Sequence, residues 1–71
     1  MASFKILEVY EKHDGISASR VHNLVATVEA ESADAAPGVF AVQCGFAASA
    51  AMRSFSPHFL IGSARYEVNP D

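Results

Sequence analysis

The sequence feature that most restricts the fold is an alternation of side chains in residues 21–31. Two sets alternate along it: Leu24, Ala26, Val28 and Ala30 on one side, and Val25, Thr27, Glu29 and Glu31 on the other. Successive side chains of a strand point to opposite faces of a sheet, whereas a helix repeats about every 3.6 residues. The period of two therefore predicts a β-strand.

Residues 3–12 carry a second, less regular alternation, with Phe4, Ile6 and Tyr10 on one face and Leu7 and Val9 on the other. β-Branched and aromatic side chains at this spacing also predict a strand. The turn-forming residues Asp14 and Gly15 follow it, because glycine adopts positive φ without steric cost. We expect the two strands to form an antiparallel hairpin.

The middle of the chain permits two interpretations, because Pro37 and Gly38 interrupt an otherwise helical pattern. Inside a helix, proline costs about 3 kcal/mol and glycine about 1 kcal/mol. The first interpretation is a loop at residues 33–38, a third strand at 39–43 and an alanine-rich helix at 45–55. The second is one helix over residues 32–55, supported by a regular stripe of side chains: Phe40, Cys44, Ala47, Ala51 and Phe55.

The last segment, residues 58–68, alternates again and predicts the final strand, within which Gly62 indicates a bulge or a close contact. We therefore expect one domain over residues 1–71, of the α+β class. Its architecture is a small single-layer antiparallel sheet of three to four strands with one helix packed on a face. The order is β-β-β-α-β, or β-β-α-β if the middle is one long helix.

The chain lacks the usual covalent and metal supports of small domains. Cys44 is the only cysteine among 71 residues, so neither an intramolecular disulfide nor a thiolate zinc cluster can form. A domain this short buries only about 60% of its unfolded surface, so support from a second subunit is expected. No signal-peptide pattern opens the sequence, and Pro37, Gly38 and Gln43 interrupt its one uncharged stretch. These features predict a cytoplasmic protein with no membrane span.

No residue pattern indicates catalysis or a cofactor. Cys44 lies between the apolar residues Val42 and Phe46, where cysteine is normally a small buried hydrophobe. The three histidines, His13, His22 and His58, lack the close spacing of metal ligands on one element. We expect no metal, no cofactor and no enzymatic activity.

The charge distribution is the remaining functional signal. The net charge is −3, and the five basic residues are scattered, which disfavours direct nucleic-acid binding. The acidic residues fall into two groups: Glu8, Glu11 and Asp14 in the first, and Glu29, Glu31 and Asp34 in the second. We predict that these six residues, with Tyr10 as an aromatic anchor, bind a protein partner that has a basic or nucleic-acid-binding surface.

In size, mild acidity and lack of catalytic motifs, the chain resembles small inhibitor proteins carried by phages and other mobile elements, including anti-CRISPR proteins. The resemblance is one of type and assigns no residue. It implies a bacterial cytoplasmic setting and a role in blocking a nucleic-acid-handling host complex by occupying its surface. The alternative is a structural or regulatory homodimer assembled through the apolar middle segment and a sheet edge.

Overall fold

A computed structural model describes residues 1–71. Its elements follow the order β-β-α-β-β-β, and strands make up 58% of the chain. They are β1 Ala2–Asp14, β2 Ser17–Ala30, α1 Ala36–Gln43, β3 Ala51–Arg53, β4 His58–Ile61 and β5 Ala64–Pro70, with a 3-10 turn at Ala48–Ala50 before β3.

The five strands form one antiparallel sheet in the spatial order β2-β1-β5-β4-β3. The first and last strands of the chain, β1 and β5, are therefore neighbours inside the sheet. Phe4 pairs with Pro70 at one end of their contact, and Val9 pairs with Arg65 at the other. The two edges differ greatly in length, since β2 has 14 residues and β3 has three.

The predicted hairpin of β1 and β2 is confirmed, and both strands are longer than expected. Gly15 has a φ of 66° in the connecting turn, a conformation that other residues rarely adopt. The pairing shifts between Ile6 and Leu7, which lie opposite Ala26 and Leu24, so Val25 is an extra residue in β2. This β-bulge places Leu24 on the face opposite to Ala26, although the alternation had assigned them to the same face.

The core lies between α1 and one face of the sheet, which we call the core face. Ten buried residues form it: Phe4, Ile6, Val28, Ala30, Ala36, Phe40, Ala41, Phe59, Ile61 and Val68. The Phe40 ring contacts Phe59 and Tyr66 edge-on, with centroids 6.1 and 5.0 Å away, and Phe59 stacks on Tyr66 at 5.3 Å. No helix covers the opposite side of the sheet, which we call the open face.

The predicted fold class was wrong, because the chain forms a five-stranded sheet with only one short helix. Residues 39–43, predicted as the third strand, belong to α1. Pro37 lies in the first turn of this helix, where its missing N–H has no intrahelical partner to lose. Its φ therefore suits the start of a helix, and the penalty that argued against helix does not apply.

The two interpretations of residues 45–55 also failed. The helix ends at Gln43, and Gly45 follows with a φ of 89°, so neither a separate helix nor one long helix forms. The 3-10 turn and β3 occupy the segment instead. Residues 58–68 are not one strand but the hairpin of β4 and β5, in which Gly62 supplies the positive φ of a tight turn.

Candidate partner-binding surface

The most prominent surface feature is a two-stranded arm formed by residues 10–20. The pairing of β1 with β5 ends at Val9, and beyond it β1 contacts only β2. Every residue of the arm is solvent-exposed, and Ile16 at its tip is fully exposed. The arm contributes to a molecular length of 43 Å, against 23 and 20 Å in the other directions.

An open notch of about 560 Å³ lies where the arm leaves the sheet. The turn between β4 and β5 forms its other wall. Nine residues line it: Glu8, Val9, Tyr10, Glu11, Arg20, Leu60, Ser63, Ala64 and Arg65. The notch thus combines two carboxylates, two guanidinium groups and a half-exposed tyrosine, which suits contact with a mixed polar and apolar surface.

The two acidic groups are spread along the hairpin: Glu8 lies in the middle of β1, opposite Asn23, and the other members lie toward the two ends. Asp14 is at the turn, opposite Ser17, whereas Glu29 is opposite Ser3. At the usual rise of a strand, the eleven steps from Ser3 to Asp14 correspond to about 35 Å. Residues 31 and 34 follow β2 at this second end. The structure therefore does not bring the six acidic residues together into one surface.

Two of the predicted acidic residues have basic side chains nearby. Asp34 forms an exposed ion pair with Arg53, with 2.8 Å between Oδ1 and Nη2. The Glu11 carboxylate lies 3.8 Å from Nε2 of His13 and faces Arg20 across the ladder. These contacts reduce the negative field that the groups present to a partner.

Sequence spacing did not predict a polar cluster on the open face. His22 on β2 and His58 on β4 each place Nε2 3.8 Å from a carboxylate oxygen of Glu67 on β5. The Asn69 amide donates a hydrogen bond of 3.3 Å to the same carboxylate. The three strands bring these residues together only after folding, so spacing within one element could not reveal them. No group of three histidine, cysteine or acidic side chains is arranged to hold a metal ion.

Cys44 differs from its predicted burial, Tyr66 carries an altered pKa, and Tyr10 is about half exposed. Cys44 was predicted to be buried but is exposed. It directly follows Gln43, the last residue of α1. Tyr66, against the aromatic core, has its pKa raised above the ordinary 10.0, mainly by burial and then by the charges of Glu8 and Cys44. Tyr10, the predicted aromatic anchor, is 45% exposed and available for contact.

The chain matches no protein-family model, no curated protein and no solved structure. None of its helices has the length and apolar character needed to cross a membrane. The arm and the notch at its base are therefore the features that point to a function.

Proposed function

We propose that the protein is a binding module that contacts a partner protein with the arm, residues 10–20, and the notch at its base. The observation that carries this proposal is the exposed arm itself. A two-stranded ribbon is only marginally stable in water without further packing. A partner that covers the arm would supply that packing, and Ile16 at the tip offers an apolar anchor for it.

The charges of the arm indicate what kind of partner would fit. Glu11 and Asp14 are balanced by Lys12 and Arg20. Such a surface suits a protein with an apolar pocket for Ile16 and a mixed polar rim, since charge depletion at the centre and polarity at the edge are typical of interfaces.

Four of the seven predicted partner-binding residues belong to this surface: Glu8, Tyr10, Glu11 and Asp14. Glu29, Glu31 and Asp34 lie at the other end of the hairpin and are not part of the proposal. Inhibition of a nucleic-acid-handling complex, a basic partner surface, the absence of catalysis and a cytoplasmic location all stay predictions. If the protein inhibits a nucleic-acid-handling host complex, the arm would occupy a functional surface of that complex.

The test is affinity capture from a bacterial lysate with four immobilised baits: the natural protein, Ile16→Asp, Tyr10→Ala and Phe55→Asp. The control residue Phe55 is 88% exposed and lies between β3 and β4, away from the arm. Far-UV circular dichroism verifies that each bait is folded. We expect proteins that bind the natural chain and Phe55→Asp at micromolar bait, and that are lost with Ile16→Asp and reduced with Tyr10→Ala.

Three results would count against the proposal. The first is a captured set that is unchanged by both arm variants. The second is the absence of any protein retained above background by the natural chain. Loss of the captured proteins with Phe55→Asp alone would place the binding surface elsewhere and would also count against the arm.

A further inference from the structure

The outer edge of β2 is a long row of backbone groups with no neighbouring strand. β2 lies at the end of the sheet and has 14 residues, none of them lysine or proline. Proteins usually protect an edge with such residues, with short strands or with bulges, because unpaired N–H and C=O groups recruit another strand. β2 has one bulge, at Val25, but residues 17–24 and 26–30 on either side of it are regularly paired with β1. The opposite edge, β3, has only three residues and includes Arg53. Only β2 is therefore long enough to accept a complete strand.

The side chains of β2 are self-complementary in an antiparallel arrangement. If the two-fold axis passes through Leu24, this residue faces its own copy. Val25 is left out of the count, as it is in the pairing with β1. Two positions outward from the Leu24 pair, His22 then lies opposite the second copy's Thr27. The next open-face pair is Arg20 with the second copy's Glu29. By symmetry, the interface contains two such charge pairs.

Three observations support this register. Arg20 and Glu29 form no ion pair within the chain, although Glu11 lies opposite Arg20 on β1, so both side chains can turn to a charge across the interface. Leu24 is 55% exposed on the open face, and contact with its copy would bury it. The bulge at Val25 is adjacent to the two-fold axis, so the extra residues of the two copies flank the central Leu24 pair symmetrically and the ladder continues beyond them.

We infer that two copies of the chain pair through β2 in this register, which joins their sheets into one. The second copy adds a third strand beside the base of the arm, because its residues 28–30 lie along residues 19–21. The tip with Ile16 extends past the paired region, so the inference is independent of the binding role proposed above. An isologous two-fold contact of this kind is the commonest arrangement of soluble homodimers.

The first experiment measures the association by sedimentation equilibrium at several protein concentrations and low salt. We expect a dimer for the natural chain. Arg20→Glu and Glu29→Arg should each weaken it about tenfold, since each places like charges opposite one another at two symmetric positions. The double variant Arg20→Glu with Glu29→Arg should recover most of the lost dimer affinity, because the two charge pairs form again with reversed sign. Arg53→Glu, an exposed charge reversal on β3 at the opposite edge of the sheet, is the matched control and should leave the association unchanged.

The second experiment tests the register by cross-linking. Opposed residues of an antiparallel pair have Cα atoms about 4.5 to 5.5 Å apart, which a disulfide can bridge. In a Cys44→Ser background, Leu24→Cys should oxidise to a covalent dimer at low micromolar concentration. Met52→Cys, on the opposite edge and 66% exposed, should stay largely monomeric.

A strict monomer at every concentration would refute the inference. A dimer in which the double charge variant is as weak as the single variants would refute the register, as would equal cross-linking of the two cysteine variants. Capture through the arm survives either failure, so the two proposals can be separated.

Discussion

Replacement of Phe59 tests the interpretation of the core most directly. Its side chain is 1% exposed and contacts both Phe40 and Tyr66. Phe→Ala in a packed core costs about 3 to 5 kcal/mol, from lost burial and the cavity left behind. A chain of 71 residues has a free energy of unfolding of about 4 to 10 kcal/mol. Phe59→Ala should therefore remove at least about a third of the stability.

Urea unfolding followed by far-UV circular dichroism measures the effect. With a slope of about 1 kcal/mol per molar urea, the midpoint of Phe59→Ala should fall by about 3 M or more. If that variant does not fold, Phe59→Leu, which should cost about 1 kcal/mol, provides a measurable series. Phe55→Ala is the matched control: at 88% exposure, it should change stability by less than about 0.5 kcal/mol. A cost below about 1 kcal/mol for Phe59→Ala, or equal costs for the two alanine variants, would refute this account of the core.

Three further predictions concern single side chains. Folding favours the neutral Tyr66 phenol, so this stabilisation is complete below about pH 10 and is lost as the pH rises through the raised folded-state pKa. Urea titrations from about pH 9 to about pH 11 should show a smaller loss of unfolding free energy for Tyr66→Phe than for the natural chain. Parallel profiles of unfolding free energy against pH would contradict the assignment. Gly15→Ala should lower the free energy of unfolding by about 1 to 2 kcal/mol because of the positive φ, while Gly15→Asn should cost less, and the reverse order in thermal melts would refute the role of the turn. Cys44 is exposed, so under native conditions a thiol reagent should label it as fast as in urea, and strong protection would contradict its position.

The hairpin was predictable because its determinants are local. Alternating side chains and the glycine turn specify β1 and β2, and both strands formed as expected. The bulge was not predictable, because residues 21–31 alternate without interruption and the extra residue is defined only by the pairing with β1. For the same reason the exposure of Leu24 on the open face could not be inferred from the sequence.

The middle of the chain was mispredicted because the penalty for proline depends on its position in a helix. A helix that began at residue 32 would place Pro37 beyond its first turn, but α1 begins at Ala36 and the proline lies within the first turn. The alanine-rich residues after Gln43 have high helix propensity, yet the Gly45 turn and pairing with β4 prevail. Tertiary contacts thus outweigh intrinsic propensity here.

The candidate site was partly accessible from the sequence. Tyr10, Glu11 and Asp14, predicted to bind a partner, lie on the arm, and their role stays a prediction. Their separation from Glu29 follows from the predicted hairpin itself, because Asp14 lies at its turn and Glu29 near the far end of the second strand. The prominence of the arm itself depends on where β5 stops pairing, at Val9, which no local pattern indicates.

The position of β5 has a consequence for how the chain acquires and loses its structure. The last strand lies beside β1 in the sheet, and Asp71 donates a backbone hydrogen bond of 3.0 Å to the Ser3 carbonyl. On a ribosome, the hairpin of β1 and β2 and the pair of β3 and β4 cannot join into one sheet until β5 has emerged from the exit tunnel. Cleavage between β4 and β5 that releases β5 would likewise remove an internal strand and separate the sheet into two hairpins, whereas loss of the edge strand β3 would only narrow it.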